Sequence, residues 1–298
     1  MNGLWPENRR SAATLTVDFF DDAFILAQEP RMAGRDKSLS VWRYGAQRGV
    51  ERLLRLFDDM AVRTTWFVPG CVAERHAALV RDIHAAGHEI GNATYACENF
   101  DALPLEAQAD SARRAQDAIG QAIGQAPEAF RSPWGNWAPG LPVALLRAGL
   151  RWSSSWRGDD RPYFHAGEPG AQDRLLEIPL HYELEDEPYF IFNLYPPVPS
   201  GQPRIAPYRD ALSNLMQDFA GFHKLGLCYP LRIHPEILGT AGRIGLLREL
   251  LEHISATPGA WLASGGEIAA WWRSRHTSNE PGHPADLFAP RHRPAPTP

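Results

Sequence analysis

Cysteine is scarce in this chain. Only Cys71, Cys97 and Cys228 occur, an odd set with no paired spacing. That excludes a disulfide framework and makes the reducing cytoplasm the expected compartment. Lysine is scarcer still: Lys37 and Lys224 stand alone, so 28 of the 30 basic residues are arginine. Set against 35 acidic residues they leave a net charge of −5, without the basic footprint of a nucleic-acid binder. No apolar run reaches the ~18 residues of a membrane-spanning helix. Residues Met1 to Arg10 have no apolar stretch behind a basic start, so no secretory leader is expected. The expected partner is a small-molecule substrate, with neither nucleic acid nor membrane.

What is present is a globular composition, 44% hydrophobic and 22% charged over 298 residues. That length suits one or two domains, or a single α/β barrel of roughly 250 residues. Proline is abundant, with 26 residues, and gathers in two places. Pro196 to Pro207 reads as a rigid loop, and residues 276–298 as a Pro/Arg/His-rich flexible tail. Residues 1–14 read as an N-terminal extension and 15–275 as one catalytic domain.

Strand and helix patterns alternate through that domain. Short β-rich runs are expected at Leu15–Phe20, Thr64–Val68, His88–Asn92, Phe130–Arg131, Trp152–Ser155, Leu175–Pro179, Leu227–Ile233 and Ala260–Leu262. Helical periodicity fills the gaps at Tyr44–Met60, Ala77–Ala86, Pro104–Gln125, Pro142–Ala148, Asp210–Lys224, Arg243–Ser255 and Glu267–Arg273. Repeated strand–helix units mean a parallel sheet, here a closed or nearly closed barrel.

Active sites of such barrels lie at the C-terminal ends of the strands. Asp18, Asp21 and Asp22 follow the first strand, and Tyr95 and Cys97 the third. Arg131 and Trp134 follow the fourth, Asp159 and Asp160 the fifth, and His234 the Leu227 strand. A carboxylate base, an arginine and a proton-donating histidine are the parts of a hydrolytic site. Each residue also has an ordinary reading. Asp21-Asp22 and Asp159-Asp160 can be turns. Arg131 can be half of an ion pair, His234 a core histidine and Cys97 a small buried side chain. The conjunction at the strand ends favours chemistry.

Gly87-His-Glu-Ile-Gly-Asn, Phe130-Arg-Ser-Pro-Trp-Gly, Gly158-Asp-Asp-Arg-Pro-Tyr, and Ile233-His-Pro with Gly239-Thr-Ala-Gly-Arg-Ile come in that order. From Leu15 to Trp272 the chain resembles the polysaccharide deacetylase, or NodB-homology, superfamily. It is most similar to the cytoplasmic branch that holds allantoinase-like proteins, cyclic imidases and peptidoglycan deacetylase homologues. The resemblance implies a single-domain, distorted or incomplete (β/α) barrel and a homo-oligomer. Metal-dependent members hold a divalent ion such as zinc with one aspartate and two histidines four residues apart. Ala93 and Cys97 stand at the histidine positions. One alignment of the first motif puts Phe20 on the ligand aspartate; a shifted one puts Asp21 and Asp22 on the Asp-Asp pair. A transition-metal site needs about three protein ligands, and neither alignment supplies them, so no metal and no other cofactor is expected.

Without a Lewis acid, the implied reaction is ring opening of a cyclic amide or imide. Asp18 or Asp22 takes a proton from water, Arg131 fixes that carboxylate or stabilises the oxyanion, and His234 protonates the leaving nitrogen. Asp160 orients Arg131, while Tyr95, Trp134 and Tyr163 wall a flat ring beside Cys97. In a variant Cys97 is the nucleophile, with His88 or His234 as its base. The other two classes are a metal-dependent deacetylase-like hydrolase with altered ligands and a non-hydrolytic ligand-binding member of the fold.

Overall fold

Ser11–Asp18 (β1) is buried at every one of its eight positions. The small and polar residues Ser11 to Thr14 carry no apolar pattern. They are strand because neighbours pair with them on both sides: Cys228–Ile233 (β8) along one edge, Ala260–Leu262 (β9) and then Thr65–Val68 (β2) along the other. The computed structural model describes residues 3–191, apart from 169 and 172, and residues 205–287. Most of the proline-rich 196–207 segment and the tail beyond 287 lie outside the described residues. Leu4 and Trp5 are not an extension: Trp5 is 3% exposed and packs against Trp261 and Trp272.

Glu89–Asn92 (β3), Ala129–Phe130 (β4), Trp152–Ser153 (β5), Tyr163–Phe164 (β6) and Leu176–Glu177 (β7) complete the sheet. Its order is β6-β7-β5-β4-β3-β2-β1-β8, with β9 beside β1. All pairs are parallel except β6 with β7, an edge hairpin that the alternating pattern does not announce. The barrel is incomplete, as the resemblance implied. Across its open side the Cys228 N–H donates to the Asp160 carbonyl at 3.0 Å, and Glu185 forms an isolated bridge with Arg232. The exposed edge of β6 is closed by the Asn279 amide, which bonds both the N–H and the carbonyl of Phe164.

Two local features set the frame. The helix expected over Tyr44–Met60 is three segments: a helix Asp36–Tyr44, a π turn Gly45–Gly49 and a helix Val50–Asp59. The glycines let the turn touch the loop after β8, where a Cβ on Gly49 would sit 2.1 Å from the Pro235 carbonyl oxygen. At the N-terminal ends of the strands, half-buried Glu89 accepts from the Thr65 hydroxyl and the Gly266 N–H, anchoring the helix Gly265–Arg275. His88 is bonded to Thr64 there, and burial with the nearby Arg63 charge pushes its pKa down to about 4. The Gly87-His-Glu motif is therefore structural, and His88 does not face Cys97. Among the described residues no helix is long and apolar enough to cross a membrane.

Candidate active site

β1 ends on a polar residue, β4 and β8 are each followed directly by one, and the curling of the sheet turns these three ends toward one another. Asp18, the last residue of β1, is fully buried. One oxygen accepts from Arg131 Nη1 at 2.6 Å, and the other from Arg232 Nε at 2.7 Å. Burial pushes the Asp18 carboxyl upward, but Arg131, Arg232 and His234 outweigh it and hold the pKa below the usual range. Asp18 is thus an anchored anion whose oxygens are both occupied.

Arg131 follows β4 and is equally buried. Its Nε donates to the Ser154 carbonyl at 2.6 Å, Nη2 to the Ser154 hydroxyl at 2.8 Å and Nη1 also to Thr16 at 3.1 Å. Its guanidinium stacks 4.0 Å over the Phe67 ring. Arg232 also reaches Glu185, 3.2 Å away, and its side chain is 11% exposed against 1% for Arg131. Arg232 is therefore the less deeply buried of the two cations.

His234 follows β8. Its Nδ1 lies 2.7 Å from one Asp186 oxygen, and its backbone N–H donates to the other at 2.7 Å. Burial pushes the imidazole pKa down, but the Asp186 and Glu187 carboxylates raise it further, to about 10. The surrounding carboxylates favour the imidazolium, with Nε2 4.0 Å from Asp18 and 3.8 Å from Glu187. This is a proton donor aimed by a buried carboxylate.

Asp18, Arg131 and His234 are brought together, with Cys97 in the field of Asp18; Asp22, Asp160, Tyr163 and Tyr95 take other partners. Asp22 bonds Arg43 at 2.7 Å and Arg75 at 2.5 Å, because the left-handed Asp21 turns the chain outward there. It does not meet Arg131. Asp160 does not orient Arg131 either; its carboxylate lies 3.6 Å from His181, on the segment that meets the start of β8. Tyr163 belongs to β6, donates to the Arg157 carbonyl and packs on His283. Tyr95 donates to Glu74 under the Arg114 guanidinium, so it is no wall of this site. Trp134 donates to the Cys97 carbonyl at 2.7 Å and meets Phe24 edge-on. Cys97 is fully buried, and burial pushes its thiol well above the usual range, which argues against a nucleophile. Arg232, Asp186 and Glu187 escaped sequence reasoning. The run Glu185-Asp186-Glu187-Pro188 was the available signal, but it lies in an aperiodic stretch away from any strand pattern.

The residues present do not fit the family's metal. Phe20, Ala93 and Cys97 all belong to the main apolar core. Among the described residues no three His, Cys, Asp or Glu side chains form a group that could hold an ion.

Residues 37–152 match the family model described as polysaccharide deacetylase. The peptidoglycan deacetylase of Helicobacter pylori is 24% identical over 248 residues, covering 76% of this chain and 84% of that protein. A solved protein of the polysaccharide deacetylase type from Mycobacterium smegmatis is 29% identical with a TM-score of 0.85, covering 91% and 93% of the two chains. Puue allantoinase shares the fold at a TM-score of 0.78 and 20% identity, over 92% of this chain and 94% of that one.

Proposed function

We propose that this chain, which belongs to the polysaccharide deacetylase family, hydrolyses carbon–nitrogen bonds other than peptide bonds without a metal, opening a cyclic amide or imide. The observation that carries the reading is the pair of cations gathered on Asp18: the Arg232 guanidinium and the Asp186-held His234 imidazolium. In this scheme Arg232 stabilises the oxyanion that forms on the attacked carbonyl, and His234 Nε2–H protonates the departing nitrogen. Asp18, itself fixed by Arg131, holds Arg232 in place. A guanidinium polarises a carbonyl less than a divalent ion does, which favours an imide-type carbon, already electrophilic, over an unactivated acetamide.

The second reading is deacetylation of an N-acetylated sugar, favoured by the similarity to the H. pylori peptidoglycan deacetylase across three quarters of the chain. The test assays purified protein before and after chelator dialysis. Succinimide, hydantoin and dihydrouracil are followed by loss of ring absorbance, and N-acetylated chitooligosaccharides by released acetate. Ring opening that survives chelation and vanishes in His234→Ala is expected. Acetate release that the chelator abolishes would establish the metal-dependent deacetylase instead.

A further inference from the structure

Hydrolysis needs a base, and the carboxylates nearest His234 are mostly committed, while Glu236 keeps its Oε2 buried against Gly45. Asp18 has a guanidinium on each oxygen. Both oxygens of Asp186 serve His234, and Glu185 pairs with Arg232. Glu187 differs. Its side chain is 33% exposed, and Oε1 lies 3.8 Å from His234 Nε2, the ring nitrogen opposite the one Asp186 holds. One oxygen atom can sit about 2.8 Å from both Oε1 and Nε2, a hydrogen-bond distance to each.

We propose that Glu187 is the general base of this hydrolase, holding the attacking water between its carboxylate and His234 Nε2–H. The proposal rests on the hydrolase reading above. Glu187 takes a proton from the water as the water oxygen bonds to the carbonyl carbon, and the carbonyl π pair moves to the oxygen facing Arg232. That pair then returns, the C–N bond breaks, and the nitrogen takes the Nε2 proton. The proton on Glu187 passes back to Nε2, so both groups are restored and no co-reactant is needed. The titratable and charged groups around Glu187 are Arg232 from β8, His234 and Glu236 from the loop after it, and Glu185 and Asp186 from its own segment; burial pushes Glu236 up to about 8. Asp18 keeps the role of anchoring the two arginines.

The experiment compares Glu187→Gln, Glu187→Asp and Glu187→Ala on whichever ring substrate the wild type opens. The control is Glu183→Gln, at a surface residue paired with Arg157. Glu187→Gln should lower kcat by about 10²- to 10⁴-fold, the range of general-base catalysis, with KM nearly unchanged. Glu187→Asp should keep more activity than Glu187→Gln. Formate should restore part of the activity of Glu187→Ala, which a structural role would not produce. Wild-type kcat in Glu187→Gln, with His234→Ala inactive, overturns the base and leaves the hydrolase reading standing. A wild type that turns over neither ring nor N-acetyl substrates overturns both.

Discussion

Replacing His234 by glutamine should remove a stabilisation that depends on pH with a definite sign. Burial alone would lower the imidazole pKa, but Asp186 and Glu187 bring it to about 10 in the folded protein. The unfolded value is about 6.5. The folded state therefore binds more protons between these values, and stability must fall as pH rises through that window. The full term is about 3.5 pKa units, or about 5 kcal/mol at about 1.4 kcal/mol per unit. It is present below about pH 6.5 and gone above about pH 10. Between about pH 6 and pH 9 the gap in unfolding free energy between wild type and His234→Gln should shrink by about 3 kcal/mol. Urea unfolding followed by circular dichroism, at several pH values on both proteins, measures that gap. Groups far from His234 contribute equally to the two proteins and cancel, whereas Glu236, pushed up to about 8 by burial beside His234, titrates in the same window and contributes to the change. A gap constant within about 1 kcal/mol would mean that the ring is neutral when folded, and the proton donor assigned here would be lost with it.

Arg131→Met should leave the Asp18 carboxylate short of one buried partner and cost about 3–5 kcal/mol of stability; an unchanged urea midpoint would refute the ion pair as an anchor. Fully buried Cys97 should resist iodoacetamide in the native protein at mildly alkaline pH, and Cys97→Ser should keep most of the turnover. A substrate adduct isolated on Cys97 would reverse that conclusion. Gly49→Ala places a methyl 2.1 Å from the Pro235 carbonyl oxygen. It should cost about 1–3 kcal/mol and lower kcat by shifting the neighbour of His234, and an unaltered melting temperature would contradict the packing described.

Alternating periodicity was enough to read the parallel strand–helix frame, though not the edge strand β6 or the short helices, because the apolar face of each longer element is a local property of ten or so residues. The strand ends carrying Asp18, Arg131 and His234 were legible for the same reason, since strand ends on one rim of a barrel must converge. Three kinds of feature were not legible. The π turn at Gly45–Gly49 continues the helical pattern on both sides and exists because Pro235 presses against two glycines. Asp22 and Asp160 have the same local signature as Asp18, a carboxylate near a strand end, but the turn at Asp21 and the return of the chain toward Cys228 carry them elsewhere. Arg232 reads as one more polar residue within a strand, and Asp186 and Glu187 as an acidic turn. Their meeting spans 46 residues of chain between Asp186 and Arg232, and their link to Asp18 spans 214 between it and Arg232. No window along the sequence holds such pairs together. Only the closing of β8 against β1 brings the two cations to one buried carboxylate, where low polarity makes each charge depend on its partner.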